Sequence, residues 1–177
     1  MSNISRAYAD ALFEISIEEN TLDEIMQQTA SMAEILAANP EFVKLLNAPT
    51  VTKEEKTQLV DSIFSGKINK SLLNFIKVMV ERKDTTEIKA SFADFEKLYN
   101  KHNNIEKATA TTAVPMSDRH KARLVEKLKA ITGKNVVLTN IVDPDCLGGV
   151  ILQFSDVQYN DSVRGKLETL KNQLKAN

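Results

Sequence analysis

Apolar residues in the first 105 positions recur at the three- and four-residue spacing of helical faces. The clearest example is one stripe near the start, formed by Ile4, Ala7, Tyr8, Ala11, Leu12 and Ile15. Residues three or four apart lie on the same side of an α-helix, so this spacing predicts an amphipathic helix. The same reasoning predicts six helices, at about 4–19, 21–39, 41–47, 52–64, 70–82 and 86–102.

Two of the predicted helices begin with a capping box, in which Thr and Glu three residues apart each bond an unpaired backbone N–H. One box joins Thr21 to Glu24, and the other joins Thr52 to Glu55. Gly66 is placed to end the fourth helix, since glycine readily adopts the left-handed conformation found after helices.

The pattern changes after residue 105 to short runs rich in β-branched residues, which are typical of strands. These runs predict strands at 108–114, 136–142, 150–154 and 157–159. Helices are predicted at 118–132, between a Ser117 cap and Gly133, and from Asp161 to about residue 175. The predicted fold class is therefore two-domain α+β, with an N-terminal six-helix bundle over 1–105 and a small C-terminal α/β domain over 106–177.

Charge is distributed unevenly between these two parts. Residues 1–105 contain 12 Lys/Arg and 16 Asp/Glu, whereas residues 106–177 contain 11 and 8. Such an asymmetry suggests that the two domains meet different partners. One alternative function is a helical adaptor with a basic α/β domain that binds RNA. The second part's net charge of +3 is small for that role, and no aromatic-rich RNA-binding motif is present.

The sequence offers no segment expected to insert into a membrane. No apolar run approaches the roughly 20 residues of a membrane-spanning helix, and the first residues lack the apolar core of a signal peptide. The single cysteine, Cys146, cannot form an intrachain disulfide, which fits a reducing compartment.

Residues 143–154, DPDCLGGVILQF, contain two of the five glycines and could be mistaken for a ligand-binding loop. A phosphate loop needs Ser or Thr after its Gly-Lys pair, and none of the three Gly-Lys pairs here has one. A calcium loop needs side-chain oxygens where Leu147 and Phe154 stand. We therefore interpret Gly148-Gly149 as a turn between two strands.

The sequence predicts no catalytic, cofactor-binding or metal-binding residues. His102 and His120 lie in different predicted helices, without the spacing of a metal site. An alternative hypothesis is a small enzyme in which Cys146 is the nucleophile and His120 its base. A small buried thiol is the more usual state of an isolated cysteine.

The first and fifth predicted helices are more apolar than a surface helix requires. The first has a second apolar row, formed by Ala9, Phe13 and Ile17. Only three polar residues interrupt the apolar run of the fifth: Asn74, Lys77 and Glu81. Such helices are either central in a bundle or contact something outside their own core. In the second case they would form a groove for an amphipathic partner helix, which the small Ala7 and Ala11 would allow to approach closely.

Three stretches carry a resemblance to one family: RAYADALFEIS at 6–16, NFIKVMVERKDTTEI at 74–88 and VVLTNIVDPDCLGGVILQFSDVQYNDSVRGKLETL at 136–170. They resemble the N-terminal, fifth-helix and C-terminal regions of the delta subunit of bacterial F-type ATP synthases. The mitochondrial counterpart of that subunit is the oligomycin-sensitivity-conferring protein. AVPMS at 113–117 is similar to the family's interdomain segment, so the resemblance follows essentially the whole chain.

The resemblance implies a non-catalytic stator subunit that links the catalytic alpha/beta head to the peripheral stalk during proton-driven ATP synthesis. It implies that the bundle binds the N-terminal helix of an alpha subunit between helices one and five. It also implies that the C-terminal domain contacts the C-terminal region of the stalk b subunits. The groove residues expected on this basis are Tyr8, Ala11, Ile15, Asn74, Phe75 and Val78. A single copy, with no cofactor, no nucleic acid and no direct membrane insertion, would be held at the cytoplasmic face of the cell membrane through the complex.

Overall fold

A computed structural model of the chain describes residues 3–48, 50–154, 157–163 and 165. The chain divides into two compact units, Met1–Asn100 and Lys101–Asn177, whereas the sequence placed the boundary after residue 105. In the described residues, helices form the first unit, and a mixed sheet with a helix forms the second. The predicted α+β fold class is therefore confirmed.

Six α-helices joined by short connections build the first unit, with a 3-10 turn at Thr85–Glu87 before the last helix. They are α1 (Asn3–Glu18), α2 (Leu22–Ala38), α3 (Pro40–Asn47), α4 (Lys53–Phe64), α5 (Lys70–Glu81) and α6 (Ile88–His102). Every one begins and ends within two residues of its predicted bounds. The apolar periodicity and the Gly and Pro breaks were therefore sufficient to define these helices.

The core of the bundle is formed by side chains that the helices turn toward one another. Its largest fully buried members include Leu12, Ile25, Leu72, Met79 and Phe95. Burying an apolar side chain of this size stabilises a fold by about 1.5–3 kcal/mol relative to leaving it exposed. The buried face of α1 consists of small residues around Leu12, namely Ser5, Ala9 and Ser16. Of the apolar stripe of α1, Leu12 therefore belongs to this core, whereas Ile4 and Ile15 remain exposed.

The capping box predicted at the start of α4 is confirmed. The Glu55 N–H donates to Thr52 Oγ1 at 3.2 Å, and the Thr52 N–H donates to the Glu55 carboxylate at 2.9 Å. These bonds satisfy two backbone donors that the helix itself leaves unpaired.

The capping box predicted at Thr21 is wrong, although α2 does begin after this residue. Asn20 has a φ of 55°, and the Thr21 N–H donates to the Ser16 carbonyl at 2.9 Å, which closes the end of α1. The Glu24 carboxylate does not bond this N–H and instead accepts hydrogen bonds from the side chains of Gln28 and Asn69. The buried Thr21 Oγ1 has no hydrogen-bond partner among the residues that the structure describes.

The described part of the second unit is a four-stranded mixed sheet in the order β2-β1-β3-β4. Its elements are β1 (Ile105–Thr112), α7 (Asp118–Thr132), β2 (Asn135–Val142), a 3-10 turn at Pro144–Cys146, β3 (Val150–Phe154) and β4 (Val157–Asn160). β1 is parallel to β2 and antiparallel to β3, and β4 is antiparallel to β3. A parallel pair requires a crossover connection, which α7 provides. The first strand begins earlier than predicted, because its pairing with β2 starts at Ile105.

The turn predicted at Gly148-Gly149 is confirmed, but only one of the two glycines requires its conformational freedom. Gly149 has a φ of 78°, and a Cβ added there would lie 2.3 Å from the Asp161 carbonyl oxygen. At Gly148 φ is not positive, and an added Cβ would make an ordinary contact of 3.4 Å with Val163. The helix predicted from Asp161 onward lies mostly outside the described residues.

Candidate functional site

Helices α1 and α5 pack side by side in opposite directions, and a hydrogen bond joins them near each end. Near the end of α1 and the start of α5, Ser71 Oγ donates to the Glu19 carboxylate at 2.7 Å. Toward the opposite end, Tyr8 Oη donates to the Asp84 carboxylate at 2.8 Å. The two bonds thus link the sides of the space between the helices near both of its ends.

An open groove of about 1010 Å³ runs between these two helices. It is lined by Asn3, Ile4, Ala7, Tyr8, Ala11, Leu12, Ile15, Glu18, Glu19, Ser71, Asn74, Phe75, Val78, Arg82 and Asp84. Apolar side chains occupy its middle, and charged side chains lie toward its ends. Ile15 and Val78 remain 42% and 40% exposed, so the groove presents apolar surface to solvent.

The groove exists because each helix carries two apolar faces instead of one. On α5, Leu72, Ile76 and Met79 are buried in the bundle, while Asn74 and Val78 are exposed. On α1, the stripe from Ile4 to Ile15 lines the groove. Its member Leu12 is also buried in the core, together with Ala9. A helix that is apolar on two sides can fill its own core and still present a second surface.

Tyr8 and Phe75 connect the floor of the groove to the core of the bundle. Their rings meet edge to face with centroids 5.9 Å apart, and Phe75 in turn stacks on Phe92 at 6.0 Å. Burial raises the pKa of the Tyr8 hydroxyl above its usual value of 10.0, and the hydrogen bond to Asp84 raises this pKa further. The hydroxyl is therefore a neutral donor at physiological pH.

The structure brings all six sequence-predicted groove residues together on this one surface: Tyr8, Ala11, Ile15, Asn74, Phe75 and Val78. Their role in binding a partner stays a prediction. The other polar residues, at the groove ends, were not predicted from the sequence. Glu18, Ser71 and Arg82 could have been found by extending each stripe by one helical turn. Asp84 follows the end of α5, where no helical periodicity points to it.

Other chemistry in the described residues is sparse. They contain no cluster of three or more His, Cys, Asp or Glu side chains able to hold a metal ion. Cys146 is buried in the second unit. His120 Nδ1 lies 3.0 Å from the Oγ of Ser117, which precedes α7 but makes no cap bond to a backbone N–H. No helix in the described part of the chain has the length and apolar character needed to cross a bilayer.

Comparison with protein families finds one match over almost the entire chain. The family described as ATP synthase delta (OSCP) subunit matches residues 4–174. Among similar curated proteins, ATP synthase subunit delta of Clostridioides difficile is 33% identical over 172 residues, covering 97% of this chain and 95% of that protein. ATP synthase subunit delta of Heliobacterium modesticaldum is 34% identical over 172 residues, covering 97% and 92%.

The fold also has a solved counterpart. One chain of the Toxoplasma gondii mitochondrial ATP synthase hexamer superposes with a TM-score of 0.76, over 99% of both chains and at 21% sequence identity. At this level of identity the similarity concerns the fold of the chain.

Proposed function

Because the chain belongs to the ATP synthase delta (OSCP) subunit family, we propose that its helical unit holds the N-terminal helix of an alpha subunit in the groove between α1 and α5. As a delta/OSCP subunit, the chain is a stator component of an F-type ATP synthase, in a family of non-catalytic subunits. Family membership spans both units, so the alternative of an RNA-binding adaptor is not retained.

One observation carries the proposal: α1 and α5 fill their share of the bundle core and still leave apolar side chains of the groove exposed. Ile15 and Val78 stay exposed while Leu12 and Met79 close the core. An amphipathic helix fits an open apolar groove through side chains spaced one helical turn apart. Ala7 and Ala11, which have the smallest side chains on the α1 wall, let the backbone of such a helix come close.

The mechanical task of a stator explains why this contact should be apolar and extensive. The subunit must resist torque without catalysing a reaction, so its attachment to the head must dissociate slowly. Differences in affinity between related complexes arise mainly from dissociation rates, which buried anchor residues lower. The groove offers two aromatic residues, Tyr8 and Phe75, that are already fixed by contacts with the bundle. Little side-chain freedom would then be lost on binding.

We further propose that the second unit contacts the C-terminal region of the stalk b subunits. In this unit the parallel strands β1 and β2 end side by side, and the segments that follow them carry the exposed apolar residues Val114 and Leu147. Apolar residues exposed at one end of a sheet offer a surface to another protein. One copy of the chain would thus join head and stalk at the cytoplasmic face of the membrane, held there only through the complex.

A peptide titration tests the groove. A synthetic peptide with the N-terminal sequence of the cognate alpha subunit is titrated into the wild-type chain and into Ala11→Asp. The substitution places an unpaired carboxylate beneath an apolar helix, so affinity should fall by at least about tenfold. Ala11 is exposed, so the helical content and the free energy of unfolding should stay near the wild-type values.

A matched control comes from Ala30→Asp. Ala30 is also an exposed alanine within a helix, α2, but it does not line the groove. This variant should bind the peptide as the wild type does. Equal affinity of the wild type and Ala11→Asp, or equal weakening by both variants, would remove the groove assignment.

A further inference from the structure

The two ends of the groove between α1 and α5 differ in charge. Where α1 ends and α5 begins, two carboxylates line the groove, those of Glu18 and Glu19, and no basic side chain of the described residues accompanies them. At the opposite end the groove is lined by Arg82 and Asp84, which carry opposite charges. The described lining residues therefore give one end two negative charges and the other end no net charge.

The carboxylate of Glu18 is not explained by the stability of the bundle. Glu18 is exposed at the last position of α1, whose last turn contains no basic residue. A negative charge there meets the negative end of the dipole of its own helix, which is unfavourable. Glu19 accepts a hydrogen bond from Ser71 Oγ at 2.7 Å. Neither carboxylate forms an ion pair with a basic residue in the described part of the chain, so both charges are available to a partner.

We propose that Glu18 and Glu19 bind basic side chains at one end of the helix that occupies the groove, and thereby determine the direction in which that helix lies. This inference rests on the proposed function and adds the charge that the occupant must carry. The apolar anchors of an amphipathic helix can fit an apolar groove in either direction. A basic residue at one end of the helix is attracted only where the two carboxylates lie, so charge complementarity selects one direction.

The charges around the groove support a basic partner. Residues 1–105 carry 16 Asp/Glu and 12 Lys/Arg, so the field of the helical unit has the same sign as the two carboxylates. At the opposite end, burial and Asp84 raise the pKa of the Tyr8 hydroxyl, whereas the charge of Arg82 lowers it. The positive and negative charges at that end thus act on the same hydroxyl and offset each other in part. The end with Glu18 and Glu19 therefore has the stronger preference for charge.

Salt-dependent binding tests the role of the two carboxylates. The N-terminal peptide of the cognate alpha subunit is titrated into the wild-type chain and into the double variant Glu18→Gln/Glu19→Gln at two salt concentrations. At about 50 mM salt the double variant should bind at least about threefold more weakly, because each exposed charge pair contributes a modest attraction. At about 500 mM salt the difference should fall below about 1.5-fold, since salt screens exposed charges. Equal affinity of the two chains at about 50 mM, or tighter binding by the double variant, would overturn the inference.

Two controls separate this inference from the proposed function. Glu14 is also an exposed glutamate of α1, but it does not line the groove, so Glu14→Gln should bind the peptide as the wild type does at both salt concentrations. Ala11→Asp reports on the groove itself. If Ala11→Asp weakens binding and the carboxylate double variant does not, the groove assignment stands and the role of Glu18 and Glu19 falls. If the wild-type chain does not bind the peptide, the proposed function itself falls.

Charge reversal tests the direction of the bound helix. Each basic residue of the peptide is replaced in turn by Glu, and every peptide is titrated into the wild type and into Glu18→Lys. One replaced peptide should bind the wild type more weakly than the parent peptide does and should bind Glu18→Lys more tightly, because like charges are exchanged for an attractive pair. Its position in the peptide identifies the end that lies at Glu18. If no replaced peptide prefers Glu18→Lys, the carboxylate does not meet a basic residue and the proposal is overturned.

Discussion

Tyr8 Oη donates a 2.8 Å hydrogen bond to the Asp84 carboxylate and so joins α1 to the segment that follows α5. The two residues are 76 positions apart in the sequence, and both line the groove. Because the bond spans the two walls of the groove, its strength contributes to the stability of the bundle and to the fixed separation of the walls.

Replacing Tyr8 by Phe tests this contact. The ring can still meet Phe75 edge to face, while the hydroxyl and its hydrogen bond are lost. The free energy of unfolding should fall by about 1 kcal/mol, the usual net value of one such bond. Urea denaturation of the wild type, Tyr8→Phe, Asp84→Asn and the double variant forms a complete cycle. Additive losses in the double variant would show that the two side chains do not interact.

Acid stability provides a second prediction, from the contact between α1 and α6. Asp94 is buried and accepts hydrogen bonds from Lys97 Nζ at 2.7 Å and from Ser5 Oγ at 2.9 Å. The bond from Lys97 holds the pKa of the Asp94 carboxyl below its usual 3.8; burial opposes this shift, and the bond from Ser5 supports it. The carboxylate form is therefore favoured by the folded state.

The sign of the pH dependence follows from that lowered pKa. The contribution of Asp94 to stability is fully present above pH 3.8 and is lost as the pH falls through the folded-state pKa. We expect Asp94→Asn to be less stable than the wild type at about pH 6, with the difference shrinking toward about pH 3. Urea denaturation at both pH values measures this. A difference that stays constant across the range would contradict the assignment.

Thr21 and Thr52, the two threonines for which a capping box was predicted, form a matched pair for a third prediction. Thr52→Ala removes a cap bond to the Glu55 N–H and should lower the free energy of unfolding by about 1 kcal/mol. Thr21→Ala removes a buried hydroxyl that has no partner, so its effect should stay within about 0.5 kcal/mol. Thermal and urea unfolding of both variants and of the wild type measure these changes in the free energy of unfolding. A loss at Thr21 equal to that at Thr52 would mean that Thr21 caps α2 in solution.

The same pair shows what sequence can and cannot reveal about this fold. Helix bounds follow from local periodicity and breaks, which is why α1 to α6 lie within two residues of their predicted positions. The partner of a single backbone N–H, in contrast, depends on the elements on both sides of it. The Thr21 N–H donates to the Ser16 carbonyl at the end of α1. A capping-box motif considers only the helix that follows, α2, and so cannot show that the preceding helix already uses this N–H.

The groove likewise has features that local helical spacing predicts and features that depend on tertiary packing. Helical spacing placed Tyr8, Ala11 and Ile15 on one face and Asn74, Phe75 and Val78 on another, because each set belongs to one helix. That the two faces meet depends on tertiary packing, and in the sequence only the family resemblance implied it. Asp84 was missed because its place in the groove is set by a turn after α5 and by a bond to Tyr8.

The two glycines before β3, Gly148 and Gly149, should respond differently to replacement by alanine. Gly149 has a φ of 78°, and a Cβ there would lie 2.3 Å from the Asp161 carbonyl oxygen. Gly149→Ala must therefore strain the backbone at residue 149 and also displace the backbone at Asp161. A loss of about 2 kcal/mol or more is expected in the second unit. Gly148→Ala should change its stability by less than about 0.5 kcal/mol, since the added methyl group would make only an ordinary contact with Val163.

Hydrogen exchange resolved along the chain is the suitable measurement, because the two units can unfold separately and a global melt would mix them. The amides of β1 and β3 should lose protection in Gly149→Ala, while those of α1 to α6 keep it. Gly148→Ala should retain wild-type protection in both strands. Equal exchange in the two alanine variants would mean that the chain between Leu147 and Val150 does not require a left-handed residue, and the turn would then be set by Pro144–Cys146 alone.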